Sequence, residues 1–507
     1  MRTEALLLVR DEAHNLADCI HSLNSCVDRV TVFDCGSLDH TADVARELGA
    51  RWVPQAWHEN FATLRNQALE SLDADWVLVI DADERLDVAA RQAVRSAVAS
   101  AGEHDTMFYL EVRTYTDDIE SLGYVGLARG ESQRRGAAGF VPRLEPRLLR
   151  LRRGLHYRGR VCERLHFANG EPVPLRAATL GILHHLRELE PIAAKKRHND
   201  MRLRLALKAV LEEEEPEACG RLGVLLNQER RWSAALPYLH AAEERGGGNA
   251  ALSLQMGVAQ LALGLVEGAI ASLRRAWSEI PDHPELATHL ARALIRSARP
   301  QALDEAGELL ERALEQDPEL EQAVVQRAVL HRHRGEFDEA RAYLHAILER
   351  NTMHALALKE LGTVELLQDH LGEAEQHLRQ AARMRPEDPE VWNNLGCALE
   401  RRGLWREALS AFDRAVQLAP ASERYLRNRC LAHAACGRLK GMCRDADQAL
   451  LASDAPVALL DGLRESCLDA GWLPALRRLE NWAVQARWLR EEERIVPGHA
   501  VPKEQSA

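Results

Sequence analysis

The sequence predicts an α/β domain with a mainly parallel sheet, followed by an all-α array of repeats. In the first 110 residues, short apolar runs alternate with amphipathic stretches, which is the pattern of strands joined by helical crossovers. From Pro216 onward this alternation gives way to a pattern that recurs every 34 residues. Of the 507 residues, 46% are hydrophobic and 28% are charged, a balance that is typical of folded globular proteins.

Four strand-and-helix pairs account for the first part. The predicted strands are short apolar runs, and the predicted helices carry apolar residues at helical spacing. The strands are Ala5–Val9, Val30–Phe33, Arg51–Val53 and Trp76–Ile80, and the helices are His14–Ser25, Thr41–Leu48, Phe61–Leu72 and Val88–Ser100. Parallel sheets bind ligands at the carboxyl ends of their strands. The residues that follow each strand are therefore the candidates for a binding site.

The second part repeats an apolar residue followed by glycine at a fixed spacing. These pairs are Leu222-Gly223, Met256-Gly257, Leu361-Gly362 and Leu395-Gly396, and an alanine follows each at one offset, at Ala235, Ala269, Ala374 and Ala408. Prolines close three units at one phase, at Pro281, Pro386 and Pro420. This resembles the tetratricopeptide repeat, a helix–turn–helix unit with small residues where its two helices touch. The resemblance implies about six units over 216–422, stacked into a curved solenoid with a concave binding face.

These patterns divide the chain into four segments. We predict an α/β domain at 1–190, a connecting helix at 191–215, repeats at 216–456, and a helical cap with a tail at 457–507.

The composition excludes several classes of protein. A formal net charge of -12 argues against a nucleic-acid binder, which would present a basic face. The longest early apolar run, Ala5–Val9, is far shorter than the ~18–20 residues that span a bilayer. Ten cysteines are too few for a disulfide scaffold in a chain of 507 residues. We therefore expect a cytoplasmic protein with reduced thiols and without a transmembrane segment.

Two carboxylates follow the fourth strand, at Asp81-Ala82-Asp83. Side chains at this position can reach one hard cation and a sugar hydroxyl together, and such a cation can neutralise a diphosphate leaving group. An isolated acidic pair of this kind more commonly caps the next helix. The pair therefore gains weight only from the motifs around it.

Three further motifs accompany this pair along the chain. Arg10-Asp11-Glu12 ends the first strand, Asp34 ends the second and is followed by Cys35-Gly36-Ser37-Leu38-Asp39, and Phe61–Asn66 opens the third helix. Together with Val79–Glu84 they resemble the nucleotide-sugar domain of family 2 glycosyltransferases, the GT-A fold. The family has Lys where Arg10 stands and Thr where Leu38 stands, and neither change removes a carboxylate.

The resemblance implies a role for each of five residues. Glu12 and Asp34 would contact the nucleoside, Arg65 the nucleotide and Asp81 the ribose region, and Asp83 would bind the metal. Each has a purely structural alternative. Glu12 could cap a helix, Asp34 could form an Asx-turn with Gly36, and Arg65 could be a surface charge.

The candidate catalytic base is Glu163. The segments Pro146–Arg150 and Tyr157–Glu163 resemble a later motif of the family that ends in His-Glu, and here Cys162 replaces the His. Glycosyl transfer needs a base to accept the proton of the acceptor nucleophile. The alternative for Glu163 is an ion pair with a nearby arginine, since residues 129–164 hold eleven Arg and three Glu, a local charge of +8. This Arg-rich segment would bind the donor diphosphate or an acidic acceptor, or form a solvated lid.

A histidine pair completes the set of metal-ligand candidates. His184 and His185 end the apolar stretch Ile182-Leu183, where a His of the family can complete the metal site, although Leu186 replaces the usual Gly. Imidazole and carboxylate together suit a Mn²⁺-like ion, and Mg²⁺ is the other candidate. The sequence leaves open which of the two histidines is the ligand.

A second set of potential metal ligands lies among the repeats. Cys430, His433, Cys436 and Cys443 have suitable spacing, but they lie on predicted repeat helices, where buried packing thiols are the simpler interpretation. Neither a P-loop motif nor a Gly-x-Gly-x-x-Gly motif after the first strand occurs, which argues against those two nucleotide-binding classes.

These observations lead to two hypotheses of different class. The first is an inverting, metal-dependent glycosyltransferase that uses a nucleotide-sugar, with a UDP-sugar as the expected donor. Its acceptor hydroxyl or thiol would belong to a peptide or protein recruited by the repeats, or to a glycan such as lipopolysaccharide, and the repeats could also mediate homo-oligomerisation. The second is an interaction scaffold whose transferase domain is inactive, which the altered motifs at Leu38, Cys162 and Leu186 favour.

Overall fold

The computed structural model describes residues 1–116, 124–127, 137, 139–151, 154–173, 179–185, 192–212, 216–352, 354–453 and 455–486. Leu186, residues 129–136, 138 and 152–153 of the Arg-rich segment, and residues 487–507 of the predicted cap and tail lie outside the described residues. The chain divides into two compact units, residues 1–326 and 327–507. The first unit thus contains the α/β domain together with the first helices of the repeat array. The boundaries predicted at 190, 215 and 456 stay predictions.

The α/β domain alternates strands and helices in the predicted order. Its strands are β1 Thr3–Val9, β2 Arg29–Asp34, β3 Arg51–Pro54, β4 Trp76–Val79, β5 Glu84–Leu86, β6 Met107–Thr116, β7 Val125–Gly126, β8 Gly139–Arg150, β9 His156–Arg158, β10 Arg164–His166 and β11 Ile182–His185. Its helices are α1 Ala13–Ser22, α2 Thr41–Glu47, α3 Phe61–Ser71 and α4 Val88–Ser100. The four predicted strand-and-helix pairs are therefore confirmed, with differences of a few residues at their ends.

The strands form a mixed sheet in the order β3-β2-β1-β4-β8-β6-β11-β5, with β7 on β8. Strands β1 to β4 are parallel, whereas β8 runs antiparallel to both β4 and β6. The sheet is covered on both sides by apolar clusters, one containing Leu7, Leu78 and Val94 and the other containing Leu6, Val77 and Val79. Because neighbouring residues of one strand enter opposite clusters, β1 from Ala5 to Val9 and β4 throughout are apolar. Strands β9 and β10 form a separate hairpin.

The rest of the described chain is helical. It begins with α5 Ile192–Glu212, followed by α6 Pro216–Gln228, α7 Trp232–Ala242, α8 Ala250–Ala262, α9 Val266–Glu279, α10 Pro284–Ser297, α11 Pro300–Gln316, α12 Glu321–Arg334, α13 Phe337–Arg350, α14 Ala355–Leu367, α15 Leu371–Met384, α16 Pro389–Arg401, α17 Trp405–Leu418, α18 Glu423–Ala435, α19 Leu439–Ala452, α20 Pro456–Asp469 and α21 Leu473–Gln485. Within the described ranges, no helix combines the length and the apolar character needed to cross a membrane.

The repeated glycines lie where the two helices of a unit approach each other. A Cβ atom on Gly223, Gly257 or Gly396 would lie 2.5 Å from a side chain of the second helix, namely Leu239, Leu273 or Phe412. The repeated alanines, Ala235, Ala269, Ala374 and Ala408, are fully buried. The predicted all-α repeat array is confirmed, and its small residues permit the close contact between paired helices.

Candidate active site

The loops after β1 and β2 are joined by hydrogen bonds at the carboxyl edge of the sheet. The Leu38 amide donates to Asp11 Oδ1 at 2.7 Å, and the Ala13 amide donates to Asp39 Oδ2 at 3.1 Å. Leu38, which replaces the family's Thr, projects outward and is 93% exposed. The substitution therefore leaves the hydrogen bonds between the two loops in place.

Asp34 supports the turn at the end of β2. Its Oδ1 accepts from the amides of Gly36 and Ser37 at 3.0 and 2.7 Å, and its Oδ2 accepts from Trp52 Nε1 at 3.1 Å. Asp34 is buried, and Gly36 takes a positive φ of 94° that the turn requires. The Asx-turn foreseen as the structural alternative is present. The nucleoside contact stays a prediction.

Glu12 precedes α1 at the end of the first loop. Its carbonyl accepts from the amides of Asn15 and Leu16, while its carboxylate accepts from Asn15 Nδ2 at 2.9 Å. The backbone of Glu12 thus begins the helix, and its side chain lies at the same strand edge as Asp34.

The third helix begins with a side-chain cap and presents Arg65 one turn later. The Asn60 side chain accepts from the Thr63 amide at 3.0 Å, which satisfies one of the free amides of the first turn. One turn later, Arg65 donates through Nε to Glu163 Oε1 at 2.6 Å and through Nη2 to Asp81 Oδ1 at 3.2 Å. Arg65 is therefore a largely buried bridge between two candidate site residues. The alternative of a surface charge is wrong.

The structure joins Glu163 to Arg65, as the structural alternative for this residue anticipated. Both side chains are 12% exposed, so the pair lies at the boundary between the interior and the solvent. The remaining terminal nitrogen of Arg65, Nη1, is buried and lacks a hydrogen-bond partner among the described residues. A buried donor of this kind is costly unless a ligand or water satisfies it. Its position beside Asp81 suits a hydrogen bond to an oxygen atom of a nucleotide-sugar.

The turn after β4 is tied together by its own acidic residues. The Asp81 amide donates to Glu84 Oε2 at 2.9 Å, so Glu84 closes the turn that contains Asp83. Burial opposes ionisation of Asp81, but Arg65 and Arg147 outweigh it and lower the pKa of Asp81 to about 2. Burial dominates at Glu84, which is 1% exposed, and raises the pKa of Glu84 to about 7.

Arg147 belongs to the Arg-rich segment, but its side chain is buried and is not part of a solvated lid. Its Nη2 lies 2.7 Å from Glu84 Oε1 and 2.9 Å from Glu145 Oε2, and its Nη1 lies 3.9 Å from Asp81 Oδ2. The pairing of β6 with β8 skips Arg147, since Phe108 opposes Leu148 and Tyr109 opposes Pro146. Such an extra residue, a β-bulge, redirects side chains. Glu84, Glu145 and Arg147 thus join the site without having been predicted individually; the motif Val79–Glu84 contained Glu84, and Pro146–Arg150 contained Arg147.

The two histidines of β11 lie on opposite faces of the sheet, because successive side chains alternate along a strand. His185 Nε2 lies 3.2 Å from Asp83 Oδ2, and its Nδ1 lies 3.0 Å from Thr114 Oγ1. His184 is buried and its Nδ1 lies 2.7 Å from the hydroxyl of Tyr115. The structure thus brings His185 to Asp83 and places His184 on the other face.

The environment of His185 favours its interaction with Asp83. Burial alone would lower the pKa of His185, but the Asp83 carboxylate outweighs burial and raises it. The second ring nitrogen, Nδ1, contacts Thr114 Oγ1, which in turn accepts from Arg143 at 3.1 Å. Ligand histidines in metal sites are commonly fixed by such a hydrogen bond on the second ring nitrogen.

Asp83 and His185 fit an open divalent-metal site. A carboxylate oxygen and an imidazole nitrogen lie 3.2 Å apart there, a pair of atom types that suits Mn²⁺ and is compatible with Mg²⁺. In the part of the chain that the structure describes, no group of three or more His, Cys, Asp or Glu side chains forms a metal cage. Mg²⁺-type sites typically use one or two protein ligands and are completed by water and substrate phosphate oxygens.

Residues 6–136 match the family described as glycosyl transferase family 2. The N-terminal domain is a family 2 glycosyltransferase domain. Residues 221–284, 298–361 and 368–423 match tetratricopeptide repeat families, so this transferase domain is followed by tetratricopeptide repeats. The recognition made from the motifs is confirmed.

Two relatives each resemble one part of the chain. A tetratricopeptide repeat-containing protein of Synechococcus elongatus is 36% identical over 136 residues, which cover 27% of this chain and 28% of the relative. A protein of Rhizobium meliloti named as a lipopolysaccharide core biosynthesis glycosyltransferase is 33% identical over 103 residues, 20% of this chain and 38% of the relative. The chain therefore spans about a third of the length of these curated relatives. A solved tetratricopeptide repeat protein of Parabacteroides merdae matches with a TM-score of 0.41 and 15% identity over 47% of this chain and 94% of that chain.

Proposed function

We propose that the chain is an inverting, metal-dependent glycosyltransferase that uses a UDP-sugar. The observation that carries the proposal is the convergence of Arg65, Asp81 and Glu163 beside the Asp83–His185 pair, at the carboxyl end of β4. In a family 2 glycosyltransferase domain this edge of the sheet is where a nucleotide-sugar would bind.

The residues of the site divide the work between donor and acceptor. Asp83 and His185 would hold Mn²⁺ or Mg²⁺, which when bound supplies positive charge for the departing diphosphate. Arg65 would donate a hydrogen bond from Nη1 to the nucleotide-sugar. Asp81, kept ionised by Arg65 and Arg147, would accept a hydrogen bond from a ribose hydroxyl. Glu12 and Asp34 lie on the nucleoside side, at the ends of β1 and β2.

Glu163 would act as the base. Its carboxylate would accept the proton from the acceptor hydroxyl or thiol as that oxygen or sulfur forms a bond to the anomeric carbon. The bond from the anomeric carbon to the diphosphate breaks on the opposite side, and UDP leaves. The Arg65 ion pair orients the carboxylate before the acceptor arrives.

The acceptor is proposed to be a peptide or protein. Tetratricopeptide arrays present a concave surface that suits an extended polypeptide, and this chain devotes more of its length to repeats than to the transferase domain. A glycan acceptor is the second candidate, because one relative is named for lipopolysaccharide core biosynthesis.

The first experiment measures release of UDP from a panel of UDP-hexoses and UDP-N-acetylhexosamines, with Mn²⁺ and with Mg²⁺ in parallel. We expect metal-dependent release that falls at least 100-fold in Asp83→Asn. Asp43→Asn, which changes an exposed carboxylate of α2, is the matched control and should retain full release. Binding of no donor, together with identical behaviour of Asp83→Asn and the wild type, would favour the inactive scaffold instead.

A second variant tests the base. Glu163→Gln keeps an acceptor atom for Arg65 but cannot take a proton at neutral pH. We expect the Kd of UDP, measured by calorimetry, to stay within about threefold, while release of UDP in the presence of acceptor falls by about 100-fold or more. Unchanged turnover would remove Glu163 from the mechanism.

A further inference from the structure

The hairpin that carries Glu163 contacts two different apolar clusters. Tyr157 and Leu165, on β9 and β10, pack into the cluster on one face of the transferase sheet. Val161, at the tip of the hairpin, is 2% exposed and belongs to another cluster. The other buried members of that second cluster are supplied by α5 to α8, namely Leu205, Ala206, Cys219, Leu222, Leu225, Leu226, Ala235, Leu239, Ala242, Leu252 and Met256. The tip of the transferase hairpin is therefore inserted into the core of the first repeat helices.

Polar contacts bind the same tip to α5. Arg160 Nη2 lies 2.9 Å from Glu212 Oε2, and Arg160 Nη1 donates to the carbonyl of Glu59 at 3.3 Å. The Glu59 carboxylate in turn pairs with Lys208 at 2.7 Å and with Arg204 at 2.9 Å. Helix α5 is thereby joined both to the hairpin and to the loop that opens α3.

The hairpin cannot fix its own tip. Each of its strands has three residues, and short isolated hairpins are only marginally stable. The tip also contains Cys162 with a positive φ of 52°, a backbone region that costs a non-glycine residue free energy. A conformation of this kind persists only where the surrounding structure imposes it. Val161 precedes Cys162 directly and lies two residues before Glu163.

We propose that Val161 is a positioning residue for Glu163, so that the first repeat helices form an integral part of the catalytic unit. By packing against α5 to α8, Val161 holds the tip of the hairpin, and the tip holds the Glu163 carboxylate beside Arg65. The inference rests on the proposed function of Glu163 as the base. It assigns the repeats a second role, in addition to acceptor recruitment, in assembling the site itself.

The test compares Val161→Ala with Leu273→Ala in the full-length chain. Leu273 of α9 is buried against Gly257 of α8, at a helix contact within the repeats. Its truncation should loosen a repeat core without changing the contacts of the hairpin tip. Hydrogen–deuterium exchange is read at residues 159–163, and steady-state release of UDP is read with the best donor of the panel. For Val161→Ala we expect at least tenfold faster exchange at the tip, at least a tenfold lower kcat and a donor KM within about threefold. Leu273→Ala should change neither tip exchange nor kcat by more than about twofold.

Two further variants separate positioning from loss of folding. Val161→Ile keeps an apolar side chain in the cluster and should retain at least half of the wild-type kcat. Arg160→Gln breaks the ion pair with Glu212 and leaves the apolar cluster intact. It should lower kcat by about threefold, less than Val161→Ala does. The Kd of UDP, measured by calorimetry, should stay within threefold in every variant, which shows that the donor site is folded.

Each other outcome has a defined meaning. Unchanged exchange at the tip of Val161→Ala overturns the proposal, and so does faster exchange at the tip with an unchanged kcat. If the wild-type chain releases no UDP from any donor, the proposed function fails. In that case exchange alone decides the anchoring: a response confined to Val161→Ala supports it, and an equal response in Leu273→Ala overturns it.

Discussion

Arg147 is the residue on which the charges of the site depend. Burial opposes its ionisation, but Glu84, Glu145 and Asp81 outweigh burial and raise its pKa further above the usual range. One guanidinium therefore compensates carboxylates that flank the metal candidate Asp83. Removing the partner of a buried charge destabilises the fold far more than removing the partner of an exposed charge.

We expect Arg147→Met to lower the free energy of unfolding by about 3 kcal/mol. Methionine fills the volume but leaves the buried Glu84 without its partner, and breaking a buried pair typically costs about 3–5 kcal/mol. Urea unfolding followed by tryptophan fluorescence measures the change, since Trp76 lies in the core next to β8.

The matched control is Arg299→Met. Arg299 forms a surface ion pair with Glu267 at 2.8 Å, with both side chains about two-thirds exposed, so its loss should cost less than about 1 kcal/mol. Equal losses in the two variants would contradict the role given to Arg147.

At this scale the sequence predicts residue identity better than residue orientation. Asp81, Asp83, Arg65 and Glu163 were found from motifs, and the structure brings Arg65, Asp81 and Glu163 into contact. Alternation along a strand implies that His184 and His185 face opposite ways, but the facing residues that decide the matter, Thr114 and Tyr115, come from a strand about 70 positions earlier. The bulge at Arg147 likewise depends on the pairing of β6 with β8 and leaves no local pattern.

At the scale of the helix, the repeat glycines are constrained by packing. The sixteenth residue after each glycine is large and covers it, as Phe412 covers Gly396. This relation explains why a glycine, which weakens a helix by ~1 kcal/mol relative to alanine, is found in the middle of helices α6, α8, α14 and α16.

We expect Gly396→Ala to lower the stability of the second unit by about 1–2 kcal/mol. The new Cβ atom would lie 2.5 Å from the ring of Phe412, and overpacking of this kind costs about 1–3 kcal/mol, which exceeds the gain in helix propensity. Differential scanning calorimetry should show a lower melting temperature. Gly372→Ala is the control, because no atom lies within 4 Å of its Cβ position, and it should leave the transition unchanged or raise it.

Helix α16 also carries a carboxyl group that should make stability depend on pH. Burial raises the pKa of Glu400 to about 7, although Arg427 opposes the shift. The folded state therefore binds more protons than the unfolded state between about pH 4.5 and pH 7. The contribution of Glu400 to stability is most favourable below this window and is lost as the pH rises through it.

We expect Glu400→Gln to remove this dependence. The variant should match the wild type near pH 4.5 and exceed its free energy of unfolding by about 1 kcal/mol at pH 8, because a neutral amide has no ionisation to suppress. Urea unfolding at four or five pH values measures the difference. Glu387→Gln changes an exposed carboxylate just before the same helix, leaves Glu400 in place and should therefore keep the pH dependence of the wild type.

At the scale of the whole chain, the sequence predicted the two architectures and their order. The alternation of strands and helices and the 34-residue period are local patterns, which can be recognised in one sequence without knowing any distant contact. The shared cluster around Val161 could not be predicted, because it joins residues of the hairpin, of the loop at Trp57 and of helices α5 to α8 that are separated by up to about 200 positions. Only the folded chain brings them together.

This shared cluster leads to a prediction about where the chain can be divided. A chain ending at residue 190, the predicted end of the transferase domain, would lose α5 to α8 and expose Val161, together with the partly buried Trp57 and Phe61. It would also leave Glu59 without Arg204 and Lys208. A chain ending at residue 282, after α9, retains all of these contacts.

We expect the shorter chain to aggregate or to bind a hydrophobic dye strongly, while the longer chain stays monodisperse on size-exclusion chromatography and binds UDP within about threefold of the full-length affinity. Equal solubility and equal UDP affinity of the two chains would show that the transferase domain is complete without the first repeat helices.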